Sequence, residues 1–337
     1  MSEQATTNKI RVGMIRVENH AYWFAPLMDD CDMLKLREVT PSVHMNFAYP
    51  YSPDSNVVPA VREFSIERIW DYDPARAQTF SSVFHGKPKV CQRFEEVGED
   101  VDLVFINSCG SDGSEHLKFA SPFLEKGQTV FVDKPMAFSY QQAREMINLS
   151  REHRAPMMSS SLLNFTPEGE ALREETKRLG GARAGYVRGC AGWETREGLE
   201  GLIHGLTLIQ NVFGAGAHSV RSSGNVLFEY MVIYYPDGRE VVLNNHGFSH
   251  GRGHAFGLYC DVYTASYFPH GGDVRSRRIG NTSFLYSSVK LLRAVRDLTR
   301  TGKAAISLES TLELIQTIDA ARIAHATGRQ VSLSEIS

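Results

Sequence analysis

The chain has 337 residues, of which 42% are apolar and 22% charged, with 36 Lys and Arg against 39 Asp and Glu. This near-balance of charge excludes a strongly basic protein and predicts no nucleic-acid or membrane partner. A length above the ~150 residues of a common domain predicts two domains. Five cysteines without a CxxC pair favour reduced thiols over disulfides or zinc. Residues 1–9 lack the order of a signal peptide, and no apolar run approaches ~20 residues, so a cytoplasmic protein is expected.

In the first part of the chain, short apolar runs alternate with segments of helical periodicity. Pro74 suits the first turn of a helix that follows the second apolar run. Strands that alternate with helices at this spacing predict right-handed crossovers and a parallel, doubly wound sheet. The predicted strands are 9–15, 66–70, 101–106 and 129–132, and the predicted helices are 21–36, 74–84 and 116–126.

After about residue 154 the pattern changes to helices followed by several strand-like runs. Pro236-Asp237-Gly238 is a turn sequence that joins antiparallel strands. A helical stripe near the C-terminus ends at Gly328. We expect an α+β domain with a largely antiparallel open sheet, whose flat face suits a homodimer or homotetramer. The predicted helices are 168–179 and 203–213, and the predicted strands are 184–188, 226–235, 240–244 and 255–263.

The fourth strand ends in Asp133-Lys134-Pro135, which is the sharpest motif of the chain. His204, with Gly214 ten residues later, lies on a predicted helix. With the 164–167 segment and the 328–331 turn, these residues resemble the Gfo/Idh/MocA family of nicotinamide-dependent sugar and polyol oxidoreductases. The resemblance covers roughly residues 9–333 and implies an N-terminal Rossmann domain, 1–154, and a substrate and oligomerisation domain, 155–337. The C-terminal helix is expected to pack back on the first domain.

The first turn departs from the family pattern. Arg16, Glu18 and Ala21 stand where the dinucleotide fingerprint has glycines, which let the backbone approach a pyrophosphate. His20, at the start of the first helix, is a candidate replacement donor. Asp71 lies about fifty residues beyond this turn, whereas the acidic residue that binds the ribose is normally ~20 residues on. An insertion is therefore predicted at about 37–64, with an aromatic loop at 40–59.

The resemblance implies hydride transfer between NAD and a secondary hydroxyl of a sugar, cyclitol or related polyol, with Lys134 and His204 as catalytic residues. Asp71 would bind the ribose diol and repel a 2′-phosphate, which favours NAD over NADP; capping of the next helix is its alternative role. The predicted cofactor contacts are Arg16, His20, Asp71, Ser108, His116, Asp133, Lys134 and Pro135. The predicted substrate contacts are Lys134, Glu200, His204 and Thr207.

Three alternatives stay open. The altered fingerprint is compatible with a cofactor-free ligand-binding or regulatory protein on the same fold. A tightly held NAD could also serve transient oxidation within a non-redox reaction. Lys134 could be a structural lysine that caps a strand end. His246, His250 and His254 are spaced by four, but the glycines among them make a helix improbable, so no metal site is predicted.

Overall fold

The computed structural model describes residues 9–40, 60–108, 112–178, 181, 184–189, 196–225, 228–246, 264–267, 275–278 and 281–337. Its first sheet has six parallel strands in the order β3-β2-β1-β4-β5-β6. The side chains of β4 and β5 are buried throughout, as expected for a parallel sheet covered on both faces. The strands are β1 Ile10–Ile15, β2 Phe64–Trp70, β3 Lys89–Val90, β4 Leu103–Ile106, β5 Thr129–Val132 and β6 Met157–Ser159.

The helices of this half are α1 Asn19–Met28, α2 Met33–Val39, α3 Pro74–Val83, α4 His116–Leu124 and α5 Tyr140–Glu152. The prediction of one helix over 21–36 is wrong, because two aspartates break it. Asp29 accepts the N–H of Ile66 at 2.8 Å and so binds β2. Asp32 caps α2 by accepting the N–H groups of Leu34 and Lys35, each at 3.0 Å.

The second sheet has seven strands in the order β12-β11-β7-β10-β9-β8-β13. Only β7 and β10 pair in parallel among the described ladders, and the others are antiparallel. The predicted turn joins β9 to β10, where the N–H of Gly238 donates to the Tyr235 carbonyl at 3.1 Å. The predicted fold class is confirmed. The strands are β7 Ala184–Gly189, β8 Ser219–Asn225, β9 Phe228–Tyr234, β10 Glu240–His246, β11 Thr264–Tyr267, β12 Arg275–Arg278 and β13 Val331–Ser332.

The helices of the second half are α6 Pro167–Arg178, α7 Arg196–Phe213, α8 Asn281–Thr301 and α9 Leu308–Thr327. Helix α8 packs its buried leucines and valines into the same apolar cluster as α1 and β1. The indole N–H of Trp23 on α1 donates to the hydroxyl of Ser288 on α8 at 2.6 Å. Helix α9 ends at Gly328, whose φ of 70° is left-handed, as the sequence predicts.

Strand β6 lies just beyond residue 154, and α8 returns to the first sheet. The division at 154/155 therefore stays a prediction. None of the helices in the described ranges has the length and apolar character of a membrane span.

Candidate active site

The end of β5 brings a carboxylate and an ammonium group together below the protein surface. The residues Asp133 and Lys134 are only 1% and 3% exposed. The N–H of Asp133 donates to the Ile106 carbonyl at 3.0 Å, which continues the ladder to β4. The N–H of Lys134 donates to Asp133 Oδ1 at 2.8 Å, and the Lys134–Pro135 peptide bond is cis. Lys134 therefore lies at the carboxyl edge of a parallel sheet, where ligands bind in doubly wound folds.

His116, at the start of α4, lies behind this turn. Its Nδ1 atom is 2.8 Å from the Pro135 carbonyl and 3.2 Å from the Met136 carbonyl. Complete burial lowers the pKa of His116, which favours the neutral ring. A neutral ring can still donate its one N–H to these carbonyls. His116 thus holds the backbone after Lys134, and its contact with a cofactor stays a prediction.

His20 reaches the same point from the first turn of α1. Its Nδ1 atom lies 2.5 Å from Asp133 Oδ2. Burial by itself would raise the pKa of Asp133, but the charges of His20 and Lys134 and their hydrogen bonds outweigh it, so this pKa is lowered. Asp133 is therefore an anion at neutral pH. The sequence proposes His20 as a phosphate donor, whereas the structure pairs its ring with the carboxylate beside Lys134.

His204, on α7, approaches from the second half of the chain. Its Nδ1 atom is 2.6 Å from the hydroxyl of Ser161, and that hydroxyl also accepts the N–H of Leu163 at 3.2 Å. Burial, followed by the positive charges of Lys134 and His20, holds the pKa of His204 well below its ordinary value. The structure therefore brings the two predicted catalytic residues, Lys134 and His204, into one neighbourhood.

The other predicted substrate contacts are on the same helix. Thr207 is buried and donates its hydroxyl hydrogen to the Ile203 carbonyl at 2.6 Å. It lines a small cavity together with Lys134 and Ser161. Glu200 belongs to α7, but its side chain lies outside the described residues.

The first turn carries an ion-pair network where the fingerprint has glycines. Arg16 has a left-handed φ of 65° and pairs with Glu18. Its Nε atom lies 3.6 Å from Asp71 Oδ2, and Arg76 Nη1 lies 3.4 Å from Asp71 Oδ1. The Asp71 side chain has no exposed surface and accepts the Val17 N–H at 3.0 Å. Asp73 caps α3 by accepting the Ala75 N–H at 2.9 Å, so Asp71 is not needed as a cap.

Two residues of this edge were not identified from sequence. Asn107 follows β4, is buried, and donates its N–H to the Ile15 carbonyl at 2.9 Å. Its Oδ1 atom has no hydrogen-bond partner in the described part of the chain. It adjoins the predicted residue Ser108, which is also buried. Ser161 lies two residues after the end of β6. A polar residue at or just after the end of an apolar strand is the signal that points to both.

The loop at 41–59 and the histidines His250 and His254 lie outside the described residues, as does the side chain of His246. The aromatic loop therefore stays a prediction, as does the expectation that these histidines form no metal site.

Residues 52–160 match the oxidoreductase family with an NAD-binding Rossmann fold that is called Gfo/Idh/MocA. An uncharacterized oxidoreductase of Streptococcus pneumoniae serotype 4 is 24% identical over 202 residues, which are 54% of this chain and 52% of that protein. Trans-1,2-dihydrobenzene-1,2-diol dehydrogenase of Xenopus laevis is 26% identical over 120 residues, 35% of each chain. The chain thus spans about half or less of the length of these relatives.

The crystal structure of myo-inositol dehydrogenase from Lactobacillus casei, in complex with NAD(H) and myo-inositol, has a TM-score of 0.73. It is 12% identical to this chain, and the superposition covers 96% of each chain. At this identity the likeness shows the fold. The predicted resemblance to the Gfo/Idh/MocA oxidoreductase family is confirmed over residues 52–160.

Proposed function

We propose that the protein transfers a hydride between NAD and a secondary hydroxyl of a sugar, cyclitol or related polyol. One observation carries the proposal: the ammonium of Lys134 is buried at the carboxyl edge of β5, with the anion Asp133 on one side and the neutral His204 near it. A buried cation next to an imidazole can hold a hydroxyl oxygen and assist the transfer of its proton.

The described residues fit a nicotinamide nucleotide at this edge. The side chain of Glu18 does not cap α1, and the backbone amides of this helix N-terminus are the donors that would receive phosphate oxygens. The unpartnered Oδ1 atom of Asn107 is a buried acceptor beside the ends of β1 and β4, where the strand order reverses. When bound, the nicotinamide would supply the acceptor or donor of the hydride.

The side chains around Lys134 have distinct roles in this proposal. The Lys134 ammonium binds the substrate hydroxyl oxygen and stabilises negative charge on it as its proton leaves. His204, neutral and held by Ser161, contacts the same hydroxyl and fixes its orientation. Burial of Lys134 excludes water and strengthens its interaction with the hydroxyl oxygen.

The charges near Asp71 support NAD over NADP. A 2′-phosphate needs positive charge that is not already compensated, as an arginine near the ribose supplies in NADP-dependent enzymes. Here Arg16 and Arg76 lie beside the two carboxylates Glu18 and Asp71. The four formal charges cancel, so the surroundings of Asp71 attract the 2′-phosphate of NADP only weakly.

The second sheet supports a homo-oligomer. Tyr186 on β7 pairs in register with Val242 on β10, which pairs with Val232 on β9. Tyr186 and Tyr230 are 40% and 44% exposed. Aromatic residues on one open sheet face suit an interface with a second copy. Light scattering after size exclusion measures the mass, and a monomer at micromolar concentration would contradict this.

A second candidate function follows from the first turn. The pair Arg16–Glu18 occupies the place of the fingerprint glycines, which favours a ligand-binding protein that has lost its cofactor. Fluorescence titration of the purified protein with NADH distinguishes the two, together with mass analysis for a retained nucleotide. Saturable binding and turnover of any of myo-inositol, scyllo-inositol or a panel of aldoses support the oxidoreductase. Absence of both binding and retained nucleotide would overturn it.

A further inference from the structure

Two residues of helix α9 bind the chain segment that leads from Lys134 into α5. Asp319 Oδ2 accepts the N–H of Tyr140, the first residue of α5, at 2.7 Å. Arg322 Nη1 donates to Asp319 Oδ1 at 2.6 Å and to the Phe138 carbonyl at 3.0 Å. The guanidinium carbon of Arg322 also lies 4.4 Å from the centre of the Phe138 ring. The backbone after Lys134 is therefore held from the side of the last long helix.

The opposite side of the same segment is held by residues before and at the start of α4. His116 Nδ1 lies 2.8 Å from the Pro135 carbonyl and 3.2 Å from the Met136 carbonyl. A Cβ atom at Gly113 would lie 2.9 Å from the Pro135 oxygen and 3.1 Å from the Cα atom of Ala137. The two backbones thus touch, and the segment has no room to move towards α4.

This confinement connects the α9 contacts to Lys134. A shift at Phe138 is not absorbed on the α4 side, so it passes along the backbone towards β5. There the N–H of Lys134 donates to Asp133 Oδ1 at 2.8 Å, and both residues are buried. The backbone from which the Lys134 side chain extends is therefore fixed at one end by the sheet and at the other by α9.

The energetics of a largely buried ion pair favour a geometric role for Asp319 and Arg322. Their side chains are 17% and 29% exposed. Burial raises the pKa of Asp319, and the Tyr140 N–H and the charge of Arg322 offset only part of this effect. Such a pair commonly adds no stability over an apolar pair of similar volume. It does fix the directions of its hydrogen bonds, here those to the Phe138 carbonyl and the Tyr140 N–H.

We propose that Asp319 and Arg322 are positioning residues for catalysis, which fix the segment 135–140 and thereby the place from which Lys134 reaches the substrate hydroxyl. The inference rests on the proposed oxidoreductase function and deepens it. Both residues act through Lys134, and neither is assigned a contact with the substrate or the nucleotide. A displacement of about 1 Å at a reacting group can lower a rate by ~100-fold, so loss of the pair should reduce kcat.

The first test is kinetic, with saturating NAD and the fastest polyol of the panel. Arg322→Met keeps an unbranched side chain against Phe138 but removes both hydrogen bonds, and should lower kcat by at least about tenfold. NADH affinity should change by less than about threefold. Arg322→Lys keeps a cationic donor and should recover most of kcat. The matched control is Arg329→Met, which removes the exposed ion pair of Arg329 with Glu335 beyond the end of α9.

A second measurement separates positioning from a merely structural role. If Arg322 acts through Lys134, Arg322→Met in the Lys134→Ala protein should change the remaining kcat by less than about twofold. An equal loss of kcat in both backgrounds would show that Arg322 supports the fold in general and would overturn the inference. Calorimetric Tm values of all variants fix a temperature at which each is folded. If Arg322→Met does not fold, Asp319→Asn takes its place, because it removes the charge and keeps an acceptor for Tyr140.

The third measurement needs neither nucleotide nor substrate. In ¹H–¹⁵N spectra of protein labelled with ¹⁵N-lysine, the signal that disappears in Lys134→Ala belongs to the Lys134 amide. This signal should shift in Arg322→Met and stay in place in Arg329→Met. An unchanged Lys134 signal in Arg322→Met would overturn the positioning role whichever substrate is used.

The outcomes keep this inference apart from the proposed function. If the wild type binds NADH and turns over a polyol, but Arg322→Met keeps kcat within about twofold, the pair does not position Lys134. If NADH binds and no polyol of the panel reacts, the lysine spectrum decides. A wild type that binds no NADH overturns the oxidoreductase function and the catalytic role of the pair with it, while the spectrum still reports whether α9 fixes Lys134.

Discussion

The carboxylate of Asp71, at the end of β2, accepts the backbone N–H of Val17, which lies 54 positions earlier at the end of β1. This bond joins the tips of two adjacent strands at the edge where a nucleotide would lie. Asp71 thus binds the backbone of Val17, in addition to its predicted contact with the ribose of NAD. The negative charge of Asp71 lies between Arg16 and Arg76 and still affects which nucleotide can bind at this edge.

We therefore expect NADH to bind more tightly than NADPH, by at least about tenfold. The two carboxylates Asp71 and Glu18 compensate the neighbouring guanidinium groups and leave no excess positive charge for a 2′-phosphate. Isothermal calorimetry with both nucleotides at matched ionic strength measures the ratio. Stronger binding of NADPH would show that Arg16 or Arg76 exchanges its carboxylate for the phosphate.

The Glu18→Gln variant tests the altered fingerprint. The structure directs the Glu18 carboxylate towards the Arg16 guanidinium. Removal of its charge should change NADH affinity by less than about fivefold, or about 1 kcal/mol. A large gain in affinity would mean that Glu18 opposes the phosphates, and would favour the cofactor-free alternative. Binding isotherms of NADH with the wild type and with Glu18→Gln distinguish these two outcomes.

Lys134→Ala should lower turnover by at least ~100-fold, because the buried ammonium that holds the hydroxyl oxygen is removed. Nucleotide affinity should stay within about tenfold, or ~1.4 kcal/mol. Lys126→Ala, an exposed lysine at the opposite edge of the sheet before β5, is the control. Full activity of the Lys134 variant would make this lysine a structural residue that only caps the strand.

Asp29 should make the fold sensitive to acid. Burial opposes its ionisation, but hydrogen bonds from Lys87 and Ile66 outweigh burial and lower the pKa of Asp29. Its stabilisation is therefore complete above the unfolded value of ~3.9 and is lost as pH falls through the folded value.

Asp29→Asn should reduce Tm at pH 7 and flatten the fall of Tm below about pH 4. Calorimetric scans across this range measure both effects. Asp30→Asn, whose side chain is 89% exposed, should leave the curve unchanged. An unaltered pH dependence in Asp29→Asn would contradict the assignment.

Gly13→Ala should destabilise the first sheet. A Cβ at Gly13 would lie 2.2 Å from the backbone oxygen of Val97, so β1 or the 94–98 turn must move. We expect a loss of about 2 kcal/mol or more in the free energy of unfolding, measured with urea. Val97→Ala in the same protein should not restore stability, because it removes the contact with Val97 Cγ1 at 2.5 Å but leaves the closer one with the carbonyl oxygen. Recovery in the double variant would show that the side chain is the obstacle.

Strands β1, β4 and β5 of the first sheet could be predicted from sequence because each is a short apolar run of residues such as Val, Ile and Phe, whereas β6 was missed. Strand β8, Ser219–Asn225, was missed, since its polar residues lack strand periodicity and its backbone is held by the ladder to β9. Helix α8 was missed as well, although its leucines and valines recur at helical spacing. The break between α1 and α2 depends on Asp29 reaching β2, which no local pattern shows.

For the site, the motif at 133–135 and the helix of His204 were sufficient to predict that Lys134 and His204 share one neighbourhood. The contact between His20 and Asp133 joins residues 113 positions apart, and the one between Ser161 and His204 spans 43. Such pairings are set by the meeting of strand ends in the folded sheet. The position of His20 at the start of the first helix therefore predicted a phosphate as its partner, whereas the structure pairs it with the carboxylate of Asp133.

The hydrogen bond from Trp23 to Ser288 spans 265 residues and marks where α8 covers the first sheet. During synthesis the chain emerges from its N-terminus, so β1, α1 and β2 leave the ribosome long before α8 exists. The apolar surface of these elements, which includes Phe24 and Leu27, is not covered by α8 until residues 281–301 have been made. A nascent chain that stops before α8 should therefore be a client for chaperones, and the first sheet should reach its native stability only near the end of translation.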